Sequence, residues 1–326
     1  TRLETFWVSR GYLTEARGLL AAVLALPGAD GAGEAYADAL QSAGNVAYHS
    51  GDAVAARARF EELRAAVEAG EDRRRLAAVL GSLGNVAQVQ GDLASALVYF
   101  EEALTLTREV GHREWEVVTL ICLGNVLTET GDTDAAVRFH EEAVARSRQI
   151  GDRSRELSAL VNLSGSMAAR GDAGESVTIV EKEALALSVA LDETHQRPVL
   201  LMNLGRDDRR RGDVVVARAR YGEALEMASA SARLRIVAFL LEHLAQLRQD
   251  EGAPSAAARL WGAASALRER IGIPAEARFQ EEWSAAERQT RDTLGDAAYR
   301  DAWSSGRALP WEQAAAEALV PSAVPP

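Results

Sequence analysis

One short motif returns along this chain at a nearly constant interval. Leu83-Gly84-Asn85-Val86 is followed by Gly91-Asp92, and Leu123-Gly124-Asn125-Val126 with Gly131-Asp132 repeats it 40 residues downstream. Gly44-Asn45-Val46 with Gly51-Asp52 repeats it 40 residues upstream, and looser copies follow at Leu163-Ser164-Gly165, Leu204-Gly205-Arg206 and Leu244-Ala245-Gln246. A fixed period of this length belongs to chains that stack one supersecondary unit on the next, because a single unit cannot bury its hydrophobic face alone. The 326 residues would fill two ordinary domains, but an array of this kind grows by stacking, so one continuous array is expected.

Within each unit the apolar residues recur at helical spacing, and the Gly-Asp pair interrupts them midway. Each unit therefore reads as helix, tight turn, helix. Glycine supplies the left-handed residue that ends the first helix, and aspartate caps the second by accepting from its exposed N–H groups. After the turn comes a small residue, an aromatic and another small one: Ala56 and Phe60; Ala96, Phe100 and Ala103; Ala217, Tyr221 and Ala224; Ala257, Trp261 and Ala264. Small residues at this spacing line one stripe of a helix, which lets two helices approach while the ring fills the gap.

The Leu-Gly pair of the first helix and the Ala, aromatic, Ala series of the second resemble the tetratricopeptide repeat (TPR). The resemblance covers roughly residues 1 to 270, and a period near 40 instead of 34 implies a long-unit variant whose second helix has gained a turn. It implies an all-α, TPR-like right-handed superhelical solenoid of about seven helix pairs. The fourth unit departs from the pattern, with Ser176, Val180 and Ala184 out of step, and an irregularity is expected there. Residues 1 to 28 read as a truncated unit containing Phe6-Trp7, and Gly28 to Gly33 as a loop into the first full repeat. Pro198 should open a helix.

Beyond Gly272 the repeat stops, and helices are expected from Ala275 to about Thr293, from Asp296 to Ser304 and after Pro310. The expected organisation is a repeat array over 1–272, a helical cap over 273–319 and a Pro-rich tail over 320–326. The stretch from Ala257 to Pro274, with Leu294-Gly-Asp-Ala-Ala-Tyr and Glu312-Gln-Ala-Ala-Ala-Glu-Ala-Leu319, resembles the closing segment of sensor arrays in bacterial signal-transduction ATPases, including large ATP-binding regulators of the LuxR type. The opening Phe6-Trp7-Val-Ser-Arg-Gly-Tyr-Leu is similar to their first sensor unit. The resemblance implies a parent protein in which an ATPase switch precedes the array. Both ends of the sequence look cut from something longer.

The chemistry the chain carries is sparse. Its net charge of −12 and pI near 5.1 argue against nucleic acid or anionic lipid as a partner. No phosphate-loop motif is present, and Lys182 is the only lysine. His49, His112, His140, His195 and His243 are scattered without metal-ligand spacing, and Cys122 reads as a small core residue. Glu61-Glu62, Glu101-Glu102 and Glu141-Glu142 recur at one place in successive second helices and read as a solvated face. No enzyme activity, metal or cofactor is expected. With one cysteine, no apolar run of membrane-spanning length and no signal peptide, the expected location is the cytoplasm.

Function is expected in the groove formed by the first helices. The TPR resemblance assigns to it the residue after the Leu-Gly pair, with those three before and three and four after. These are Asn45, Tyr48 and His49; Asn85 and Gln88; Asn125, Thr128 and Glu129; Asn162; Asn203, Arg206, Arg209 and Arg210; and His243, Gln246 and Gln249. Repeated amides both donate and accept, as holding a peptide backbone requires; alternatively each Asn bonds its neighbouring helix and only maintains the stacking. Arg206, Arg209 and Arg210 share a helical face that would capture a carboxylate or phosphate, or else pair with Asp207 and Asp208. The implied partner is a protein or peptide, the parent's own ATPase domain included. A passive scaffold and an intracellular receptor for a short signalling peptide remain the alternatives.

Overall fold

The computed structural model describes residue 7 and residues 12–28, 31, 33–69, 72–172, 174–273 and 277–320. Among them lie sixteen α-helices and no strand. Helix α1 (Leu13–Leu24) precedes twelve helices, two to each sequence repeat: α2 (Glu34–His49) and α3 (Ala53–Ala69), α4 (Arg73–Val89) and α5 (Leu93–Glu109), α6 (Arg113–Thr130) and α7 (Thr133–Ile150), α8 (Arg153–Arg170) and α9 (Glu175–Ala190), α10 (Arg197–Arg210) and α11 (Val214–Ala230), α12 (Leu234–Asp250) and α13 (Pro254–Ile271). Three further helices follow, α14 (Ala277–Leu294), α15 (Asp296–Arg307) and α16 (Trp311–Leu319). The fold is an all-α array of TPR-like pairs. Its backbone separates into two compact units, Thr1–Ala173 and Gly174–Pro326, the division falling inside the irregular fourth repeat. The expectations for residues 1–11 other than Trp7, and for the tail 321–326, lie outside the described residues.

The turn chemistry follows from the Gly-Asp pair. Gly91 adopts φ +76°, and the Asp92 carboxylate then accepts from Ser95 N–H at 3.2 Å, closing α4 and opening α5. Asp52 and Asp132 cap α3 and α7 in the same way, through Ala55 and Ala135. Pro198 lies in the first turn of α10, where its missing N–H costs nothing. Helices α4 and α5 are 17 residues each. The surplus over a 34-residue period is therefore shared between both helices, and does not lengthen the second alone.

In the first, second, third and fifth repeats a ring of the second helix seats in a notch made by the first helix's glycine. A Cβ on Gly44 would lie 2.3 Å from the Phe60 ring, and one on Gly84 2.7 Å from Phe100. Gly205 makes the same notch for Tyr221. At Gly124 the ring is His140, 2.3 Å from where a Cβ would stand, so a histidine occupies the aromatic position of the third repeat. The fourth repeat carries Ser164 at the glycine position and Val180 at the ring position, so glycine and ring are lost together. Around these notches Leu40, Leu63, Leu83 and Val86 complete a dry core with Phe60 in the first unit. At the near end Trp7 packs against Ala16, Leu20 and Val46.

In the second unit α12 is buried throughout from Ile236 to Arg248. Helices α11 and α13 flank it, and α14 and α16 also lie against it. Its polar members Glu242, His243, Gln246 and Arg248 are buried with the rest, so this run keeps no solvent face. Helices α13 and α15 cross at two glycines, where a Cβ on Gly262 would meet the Trp303 carbonyl at 2.0 Å and one on Gly306 the Arg259 carbonyl at 1.9 Å. Buried Arg248 donates to the Ala318 carbonyl at 3.0 Å and pairs with Glu251 at 2.9 Å, which satisfies the C-terminal end of α16.

Candidate ligand groove

In the first unit the first helices bring their register positions onto one face. Asn45, Asn85 and Asn125 stand half-buried beside fully buried Val46, Val86 and Val126. Their bonding differs. Asn45 Oδ1 accepts from Gln41 on its own helix at 3.2 Å, and Asn162 Nδ2 donates to the Ser158 carbonyl at 2.8 Å. Asn85 Oδ1 meets the Cys122 thiol of the next first helix at 4.0 Å, and Asn125 has no hydrogen-bond partner among the described residues. Gln88 donates to Glu129 across two first helices. Thr128 is turned back onto the Gly124 carbonyl, and half-buried Tyr48 meets exposed His49 edge to face.

Two turns ahead of these amides the same face opens into a hollow of about 490 Å³, lined by Asp38, Gln41, Asn45, Asp72, Arg74, Arg75, Ala78 and Trp115. Arg75 pairs with Asp38 at 3.1 Å, and Trp115 stacks on His112 with ring centroids 4.1 Å apart. Sequence reasoning missed Arg74, Arg75 and Trp115. The signal was there: Arg74 lies eleven residues before Asn85, about three helical turns along the same stripe, and Arg75 and Trp115 adjoin that line ten residues before Asn85 and Asn125.

In the second unit the equivalent face is charged and covered. Arg209 pairs with Asp250 at 2.8 Å and with Glu282 of α14 at 2.9 Å, and Arg210 reaches the other oxygen of Glu282 at 3.1 Å. Gln246 donates to Glu282 at 3.3 Å and Gln249 to Thr293 at 3.4 Å. The Trp283 ring lies 5.8 Å from Phe239 and 5.9 Å from His243. The arginines thus share a face, but their carboxylate comes from α14. Asp207 and Asp208 are not partners of Arg209 or Arg210: buried Asp208 accepts from Arg211 at 2.6 Å and from Arg220, while Asp207 accepts from Thr178 at 2.9 Å. They point away from the groove because positions two and three after Gly205 fall on the helix's packed side.

Burial governs the titrating groups around this network. Glu181, buried beside Asp207 and held by Asn203, is pushed up to about 7, chiefly by loss of water. His243, stacked on Tyr221 at 5.5 Å, is pushed down to about 3 by burial and then by the Arg206 and Arg209 charges. In the first unit burial pushes His140 down to about 4; its Nδ1 lies 3.0 Å from Ser166 Oγ and its Nε2 3.3 Å from the Ile121 carbonyl. The Cys122 thiol rises to about 11 for the same reason, which leaves it a poor nucleophile at neutral pH. Glu61 and Glu62 are not a freely solvated pair: each is half-buried and accepts a tyrosine hydroxyl, from Tyr99 and Tyr36 respectively. Among the described residues no cluster of His, Cys, Asp and Glu is placed to hold a metal ion, and no helix is long and apolar enough to cross a membrane.

Residues 5–190 match the family described as the MalT-like TPR region. The chain belongs to the MalT-like TPR family. Solved structures share the fold at low identity. RapI in its apo form superposes with a TM-score of 0.60 at 11% identity, over 80% of this chain and 99% of its own. BtubC from P. vanneervenii gives 0.54 at 19%, over 71% and 92%, and the apo quorum sensor NprR from B. thuringiensis gives 0.57 at 13%, over 86% and 80%. No curated protein matches in sequence. In this MalT-like TPR chain the repeat face recurs in both units, open in the first and lidded in the second.

Proposed function

We propose that this chain is a non-catalytic recognition module, the sensor arm of a bacterial ATP-dependent regulator, which takes a protein or peptide on its first-helix face in the cytoplasm. The carrying observation is the open, amide-lined face of the first unit, where Asn125 has no partner among the described residues and Asn85 has only a thiol. An amide with spare donor and acceptor is suited to a peptide backbone, which offers both. Family membership supports the regulatory role, and two structural relatives were solved in complex, a Rap protein with competence and sporulation factor, and a Rap conjugation gene regulator with the Phr* peptide. Binding would act on the attached switch only through different affinities for its two states.

Native mass spectrometry after incubation with extract and medium of the host tests this. Wild-type chain should retain a small added mass that is lost in Asn85→Ala/Asn125→Ala, with helical circular dichroism unchanged. Retention of the same mass by the variant would move recognition off this face; a large protein mass bound equally by both would support a scaffold.

A further inference from the structure

Helix α14 is seated unlike any repeat helix. Of its described side chains only Trp283 and Thr290 are buried. It is flanked by two hollows, one of about 260 Å³ bordered by Arg209, Gln246, Gln249 and Glu282, the other of about 700 Å³ bordered by Trp261, Arg268, Trp283 and Trp303. Both hollows open to solvent along the flanks of α14. The contrast is the α13–α15 crossing, where glycines bring the two backbones into contact.

The seat also leaves polar atoms unanswered. Arg209 Nε, Gln246 Oε1 and Gln249 Oε1 are buried without a hydrogen-bond partner, although Arg209, Gln246 and Gln249 all contact α14 through their other atoms. Every such atom penalises the seated state, and all three belong to the groove register of α10 and α12. One carboxylate, that of Glu282, bridges Arg209 and Arg210, and Arg209 also holds Asp250. The acid that α14 brings to this face is therefore a single carboxylate set beside a ring. Beside that carboxylate the Trp283 indole fills the space between Phe239, His243 and the Arg268 guanidinium, which lies 5.6 Å from its ring centre.

We infer that this face is a binding site for an acidic peptide segment carrying an aromatic residue next to a carboxylate, and that α14 is its resident occupant, displaced when such a segment arrives. The self-occupancy stands on these contacts alone; entry of an outside segment rests on the peptide-binding reading of the groove. The site needs both halves of the motif, charge for the arginines and a ring for the Phe239–His243 slot.

The probe is a labelled peptide of the chain's own residues 277–294 added to the full chain. Glu282→Gln/Trp283→Ala, which unseats α14, should bind it at least tenfold more tightly than wild type. Adding Arg209→Ala/Arg210→Ala should remove that gain. Equal binding by wild type and the unseated variant, with helicity and cooperative melting intact, overturns the inference. Should the unseated variant fail to fold, the milder Glu282→Gln alone supplies the test, since it removes only the carboxylate shared by Arg209 and Arg210. It should bind the peptide more tightly than wild type; equal binding again overturns the inference. Asn85→Ala/Asn125→Ala should leave this affinity unchanged, which separates failure here from failure of the open-face reading.

Discussion

The two units carry the same register and use it oppositely. In the first, the residue after each repeat glycine is a neutral, half-exposed amide, Asn45, Asn85 and Asn125; in the second that register carries Arg206, Arg209, Arg210, His243, Gln246 and Gln249, several of them buried, under α14. Repetition decides which side chains share a face. A segment that does not repeat decides whether that face meets solvent.

The largest break in the comparison should come from the ring notch. Phe100→Ala removes a fully buried ring whose neighbours are fixed helices, and is expected to cost about 3–5 kcal/mol, measured by urea unfolding with hydrogen exchange in α4 and α5. Val180→Ala, at the equivalent position of the repeat that lacks the notch, is expected to cost well under half as much. Similar losses at both would mean that the glycine–ring pair is not what couples the two helices of a repeat.

The pH response should come next, with opposite signs at His140 and at Glu181. His140 is neutral in the fold down to about 4, while an unfolded histidine charges near 6.5, so the unfolded chain binds more protons in between and the first unit loses stability as pH falls through that window. The shift corresponds to about 3 kcal/mol. His140→Phe, which installs the ring of the neighbouring repeats, should flatten the dependence. Glu181 runs the other way: its folded value near 7 exceeds the unfolded 4.5, so its contribution is present below 4.5 and is lost as pH rises to about 7. The difference between Glu181→Gln and wild type, followed by exchange of α9 amides, isolates that slope from the opposing one of His243. A difference that grows toward low pH would refute it.

Smallest is the effect of one oxygen. The Tyr221 hydroxyl is buried without a hydrogen-bond partner, whereas Phe60 and Phe100 fill the same notch without one. Tyr221→Phe should raise stability by about 1 kcal/mol, visible as a higher urea midpoint. A lower midpoint would reveal a partner for that oxygen and make the second unit's notch a polar one.

The array was legible because its signals are local: Gly91-Asp92 dictates a turn by backbone geometry, and the Ala, ring, Ala stripe states which helix faces touch. His140 was read as a scattered histidine although it stands 40 residues after Phe100, because residue type was weighed before register. The groove's register was legible too, but its occupancy was not. Glu282 and Trp283 lie outside the repeat, and their meeting with Arg209 and Phe239 spans about 40 to 70 residues, a distance at which no periodicity speaks.

The ion pairs named above are all made by arginine, and the single lysine, Lys182, is exposed on α9. Acylation of lysine cuts ion pairs by erasing a charge, and guanidinium is not its target. Among this chain's side chains such modification has one address, away from every one of those pairs. The electrostatic lattice that holds α14 in place and closes α16 is therefore invisible to the chemistry that edits lysine-rich surfaces.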